Sequence, residues 1–185
     1  VYKRQGNPWI WRPAFFGAFA SVDEALLKRG FHVAYYDLTH LYGSPRARKS
    51  GTDFYWNMVQ MYGLSPRVTL EGFSRGGLFA YNWAADHPDK VACIYVDAPV
   101  CDVFSWPGRS SGNAGLWKGM LDEWGLTEVR MNTFPGNPID RLKPLADARI
   151  PVICVCGDSD RVVPFSENSA VVRQRYTATV SYTHL

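Results

Sequence analysis

One hexapeptide constrains this chain more than any other feature. Gly72-Phe73-Ser74-Arg75-Gly76-Gly77 lies directly after the apolar run Val68-Thr69-Leu70-Glu71 and opens the Ala- and aromatic-rich stretch from Arg75 to Asp86. A G-x-S-x-G pattern between a strand and a helix describes a reversal so sharp that only small residues fit at its two ends. The same periodicity argument places strands at 31–38, 67–72, 91–97 and 150–156. Helices are expected at 15–29, from Thr52 or Asp53 to Tyr62, at 75–86, at 138–149 and at 165–176. Strands alternating with helices imply right-handed crossovers and a largely parallel sheet, and near-continuous apolar runs fit strands covered on both faces. The fold class is therefore α/β, a three-layer sandwich with a mostly parallel sheet. Residues 6–13, with two Trp, read as a loop, as do 39–51. Residues 99–138, punctuated by Pro, Gly and Ser and holding one amphipathic stretch at 116–124, read as a small lid inserted into the domain.

The 185 residues suffice for one domain. Lys+Arg exceed Asp+Glu by 20 to 17, a formal charge of +3 too small and scattered for a nucleic-acid footprint. No run approaches the length of a membrane span. With hydrophobics at 46% and charged residues at 20%, disorder and a fibrous chain are excluded as main readings. Cys93, Cys101, Cys154 and Cys156 sit in or near apolar runs without metal-ligand spacing, and no metal or cofactor is implied. Both ends, Val1-Tyr2-Lys3-Arg4-Gln5 and Val180-Ser181-Tyr182-Thr183-His184-Leu185, resemble translated adapter sequence of the kind found at the ends of metagenomic gene fragments. Residues 1–5 and 180–185 are set outside the fold on that reading, leaving a single domain over 6–179, truncated at both edges.

The chemistry centres on Ser74. The turn lifts its Oγ above the sheet edge, and the positive end of the following helix favours negative charge there. The Arg75 N–H points where an oxyanion would form. A serine nucleophile needs a base, and the base needs a carboxylate to orient it and stabilise its cation. Asp160 lies in the turn Gly157-Asp158-Ser159-Asp160-Arg161-Val162-Val163-Pro164, at the carboxyl end of the strand 150–156, where such a carboxylate belongs. A plain turn role suits the same position. Asp158 reads as a turn former bonding its own backbone. Asp97, at the end of the strand 91–97, reads as a strand-end cap beside Pro99.

The elbow at Ser74 and the G-x-x-D-x-x-V-P stretch from Gly157 to Pro164 resemble the α/β-hydrolases, in that family's chain order and over most of residues 9–176. The resemblance implies Ser74 as nucleophile, Asp160 as triad acid with Asp97 as its second candidate, and a histidine after one further strand as base. His32 reads as structural. His87, in the His87-Pro88-Asp89-Lys90 link, falls on the wrong side of the sheet, and His40 precedes the serine. His184 lies in the adapter-like tail. The base is therefore expected beyond this chain, which would leave the fragment inactive or nearly so. The family's oxyanion loop follows an early strand, of which only the loop from Gly6 is expected here. Trp9 or Trp11 would supply its N–H, or else pack under the sheet edge.

An arginine after the nucleophile is similar to glucuronoyl esterases, where it helps hold the oxyanion. Gly76-Gly77 departs from that family's continuation, and a structural carboxylate partner for Arg75 weighs equally. Trp106, Trp117 and Trp124 suggest a carbohydrate-linked ester, or simply the lid's own core. The expected activity is cleavage of a carboxylic ester through an acyl-enzyme on Ser74, on a small-molecule or carbohydrate ester. The alternatives are a prolyl-oligopeptidase-like serine peptidase and a non-catalytic member of the fold that binds ligand.

Overall fold

The computed structural model describes residues 6–109 and 111–182. Five strands form one sheet: β1 (Trp9–Arg12), β2 (His32–Tyr35), β3 (Val68–Phe73), β4 (Val91–Asp97) and β5 (Val152–Val155). Their order is β2-β1-β3-β4-β5, and every pair is parallel. Six α-helices connect or follow them: α1 (Ser21–Lys28), α2 (Pro45–Tyr62), α3 (Gly76–Asp86), α4 (Ala114–Trp124), α5 (Lys143–Asp147) and α6 (Ser169–Tyr182). Among the described residues, no helix is long and apolar enough to cross a membrane.

The stretch expected as a loop, residues 6–13, holds strand β1, paired on both sides. Alternation explains it. Trp9 and Trp11 point to one face, where Trp11 meets Phe79 and Trp83 of α3 at 5.0 and 5.3 Å between ring centroids. Ile10 and Arg12 point to the other. Arg12 is only 1% exposed, and two acids make that burial tolerable. Its Nη1 donates to Asp23 Oδ2 of α1 at 2.7 Å, and its Nη2 lies 2.9 Å from Glu71 Oε1 of β3. Nη2 also donates to the Ala18 carbonyl at 2.5 Å. α1 thus covers one face, while α2 and α3 cover the other. With β1 and β2 both beyond β3, that side of the sheet is fuller than the sequence suggested.

Other boundaries move for local reasons. The helix expected from residue 15 begins at Ser21, because Phe15 and Phe19 adopt left-handed backbone (φ 55° and 51°). α2 starts earlier than Thr52. Ser44 caps it by accepting the Ala47 N–H, and Pro45 fills the first position. The helix expected over 138–149 breaks into a short turn at 138–140 and α5. The final helix runs from Ser169 to Tyr182 rather than over 165–176.

Residues between β4 and α5 pack as a second apolar cluster. Trp106, Met120, Leu121, Met131 and Phe134 surround Leu78 of α3 and Tyr42. At the far side of the sheet, β5 is the outer strand, with Ile153 and Val155 56% and 48% exposed. Of the terminal strings expected to be foreign, residues 1–5 and 183–185 lie outside the described residues.

Candidate active site

Ser74 follows β3 directly and sits at φ 51°, a left-handed conformation that costs a non-glycine residue of order 1 kcal/mol. Its neighbours over-determine that shape. The Ser74 N–H donates to the Asp97 carbonyl at 2.9 Å, and its own carbonyl accepts from Gly77 and Val100 at 3.0 and 2.9 Å. Glycine is required on both flanks. A Cβ on Gly72 would stand 2.9 Å from Val96 Cγ1, and one on Gly77 would stand 2.7 Å from Pro99 Cβ. The strand and helix therefore approach as closely as the motif demands, and the serine is held at the carboxyl edge of the sheet, at the amino end of α3. Among the described residues, the Ser74 hydroxyl has no hydrogen-bond partner, and the Arg75 N–H makes no backbone bond.

Asp160 lies in the turn after β5, two strands along the same carboxyl edge. At the usual strand spacing that is roughly 10 Å laterally, a gap that an imidazole with its two hydrogen bonds spans. Asp160 Oδ1 accepts from the backbone N–H groups of Val162 and Val163 at 2.8 and 2.9 Å. Asp160 thus has the backbone-bonding turn role expected of Asp158, whose Oδ1 accepts instead from the Ser159 hydroxyl. Both backbone bonds use one oxygen, so the other remains for a base. Asp97 is less suited. Burial pushes its carboxyl up, the wrong direction for stabilising an imidazolium.

Asn168, which the sequence reading did not single out, ties the two halves together. Fully buried, its Oδ1 accepts from Cys101 and Asp102 N–H at 2.8 and 3.1 Å, and its Nδ2 donates to Ser105 Oγ and the Pro164 carbonyl at 3.0 and 3.1 Å. Since Val100 is bonded to Ser74, a short chain of contacts runs from the elbow to the end of the acid-bearing turn. Only its burial distinguishes Asn168, and no local pattern announces that.

Trp9 and Trp11 lie inside β1, at 1% and 0% exposure, in the aromatic core beneath the sheet. This corrects their expected place at the oxyanion. The segment that touches the elbow is the turn after β1, where Pro13 and Ala14 lie 3.7 and 3.3 Å from where a Cβ on Gly76 would stand. Arg75 does not have the carboxylate partner that a structural reading required. Among the described residues no acid pairs with it, and its guanidinium lies against two rings, 5.4 Å from the Phe15 centroid and 5.5 Å from that of Trp106. Trp117 and Trp124 spend their indole N–H groups internally, on Glu128 and on the Tyr42 carbonyl.

None of the three described histidines stands between the β3 and β5 ends. His32 opens β2, and exposed His40 follows it on the other flank of the sheet. His87 ends α3, about 16 Å from the elbow along the helix, where its Nε2 meets Thr52 and burial holds its pKa down. His184 lies outside the described residues. Among the described residues, no cluster of three or more His, Cys, Asp or Glu could hold a metal ion.

The family described as the alpha/beta hydrolase fold matches residues 9–124. No curated protein matches the sequence. Among solved structures, puromycin hydrolase aligns at a TM-score of 0.65 and 19% identity, over 95% of this chain and 28% of the hydrolase. A carboxylesterase from Nitrososphaera gargenis aligns at 0.56 and 17%, over 94% of this chain and 79% of the esterase. A monoacylglycerol lipase from Paleococcus ferrophilus aligns at 0.56 and 16%, over 92% and 81%. At these identities the likeness is one of fold. The chain spans little more than a quarter of puromycin hydrolase.

Proposed function

This chain belongs to the alpha/beta hydrolase family, and from that premise we propose a serine hydrolase whose nucleophile is Ser74. The observation that carries the reading is the strained serine at φ 51°, pinned by three backbone bonds at the sheet edge beside an unbonded Arg75 N–H. In the proposed reaction Ser74 Oγ adds to the carbonyl carbon while its proton passes to an imidazole. The oxyanion meets the Arg75 N–H and a second donor from the 13–15 turn. The same proton then goes to the leaving group, the acyl-enzyme forms, and water releases the acid. Asp160 orients the imidazole through the oxygen its turn leaves unused. That imidazole is assigned to a histidine outside the described residues. A carboxylic ester is the proposed bond.

Added imidazole makes this testable on the chain itself. With imidazole present, a fluorophosphonate probe should label Ser74, and the label should vanish in Ser74→Ala and weaken sharply in Asp160→Asn. A label that survives Ser74→Ala, or none on Ser74 at any imidazole concentration, overturns the assignment. The likeness of fold to dipeptidyl peptidase 4 of Porphyromonas gingivalis (TM-score 0.69, 14% identity) keeps a peptidase as second reading. Activity on dipeptide amides and none on acetyl, aryl or uronoyl esters would select it.

A further inference from the structure

The Arg75 guanidinium is an unusual object beside a nucleophile. Two rings lie against it, Phe15 from the turn after β1 and Trp106 from the segment after β4, with centroids 5.4 and 5.5 Å from its Cζ. Stacking of this kind satisfies the π faces of a guanidinium but none of its N–H donors, which lie in the plane. Its Nη1 is buried from solvent and, among the described residues, has no hydrogen-bond partner. Among the described residues, no carboxylate forms an ion pair with it. An uncompensated, partly desolvated cation is costly to hold in a fold. Here it stands one residue from Ser74 at the amino end of α3, where the helix adds positive potential rather than relieving it. The rest of the rim is aromatic. Phe15 and Phe19 both meet Phe73 edge-on at 5.3 and 5.1 Å, and Phe16 and Phe19 are 70% and 74% exposed.

We propose that Arg75 is a specificity-determining residue, and that the Nε and Nη2 side of its guanidinium, unbonded among the described residues and not shut off as Nη1 is, takes a carboxylate carried by the substrate beside the scissile bond. The substrate class is then an anionic ester with an apolar or aromatic body, such as the monoester of a dicarboxylic acid or an ester of a carboxylated alcohol. A carboxylate matches the planar fork in two parallel hydrogen bonds, and the aromatic rim accepts the body. Placing the acid group here rests on Ser74 being the nucleophile. Binding of the anion to Arg75 does not.

The experiment compares benzoate with benzamide, equal in shape and differing in charge, titrated into the chain and followed by tryptophan fluorescence. Benzoate should bind at least about ten-fold tighter at low salt, as a charge-assisted pair in a partly dry site requires. Arg75→Gln should level the two ligands, and Ser74→Ala should keep the preference. If the Gln variant loses its near-ultraviolet dichroism, Arg75→Met, which keeps the stem against the rings, takes its place. Equal affinities in the parent chain, absence of saturable binding, or a preference that survives loss of the guanidinium overturns the inference. Fluorophosphonate labelling without a benzoate preference would sink this inference alone. A preference without labelling would sink the hydrolase reading and leave an anion-binding member of the fold.

Discussion

The buried trio Arg12, Asp23 and Glu71 makes the stability of this protein depend on pH in an unusual sense. One guanidinium faces two carboxylates, and the closer, Asp23 at 2.7 Å, takes its charge. Glu71, 3% exposed, is pushed up from 4.5 to about 8, first by burial and then by Asp23, with Arg12 only partly opposing. A carboxyl raised in the folded state binds its proton more tightly there than in the unfolded chain. The stability it contributes is therefore complete below about pH 4.5 and is lost as pH climbs through about 8. The move from 4.5 to about 8 sets a ceiling of about 5 kcal/mol on the loss, at ~1.4 kcal/mol per pH unit. Urea unfolding at pH 5, 7 and 9 measures it. The parent protein should lose a few kcal/mol between the first and last. Glu71→Gln, which mimics the protonated acid, should flatten that slope and exceed the parent at pH 9. A parent stability that rises over this range, or a Gln variant with the parent's slope, refutes the reasoning.

Three further outcomes follow from the elbow and its supports. Ser74→Gly should raise the unfolding midpoint, by about 1 kcal/mol in stability, while abolishing probe labelling, since glycine relieves the left-handed strain. Gly77→Ala should cost about 1–3 kcal/mol and slow labelling, because its Cβ would meet Pro99 and Val100 at 2.7 and 3.0 Å. Asn168→Ala should cost about 2–4 kcal/mol in urea unfolding by orphaning the Cys101 and Asp102 N–H groups. It should also reduce labelling at Ser74 by loosening the turn that bears Asp160.

What the sequence makes legible is what is local. The elbow at 72–77 declares itself because its glycines, serine and flanking strand are adjacent, although Asp97 and Val100 from the next strand's end hold its strain. The turn of Asp160 is legible for the same reason. Strand β1 is not. Trp-Ile-Trp-Arg between two prolines looks like a loop until Asp23 and Glu71, from two other elements, make a buried Arg12 tolerable. Trp9 and Trp11 shift from site to core on that one fact. The start of α2 was readable from Ser44-Pro45, a cap followed by a first-turn proline. The start of α1 was not, because the aromatic spacing of Phe15 and Phe19 mimics a helix while both residues take left-handed backbone. Asn168 and the ring pair against Arg75 are assembled from distant segments, and no stretch of sequence carries them alone.

The bare outer ladder of β5 carries a practical consequence. Among the described residues no strand pairs with its outer side, and the strand carries the exposed Ile153 and Val155 but neither proline nor lysine. Such a rim is a template onto which other copies stack, so concentrated samples should thicken into oligomers by strand addition. Ile153→Lys, a single charge set on that rim, should keep the protein dispersed in light scattering without touching the catalytic edge.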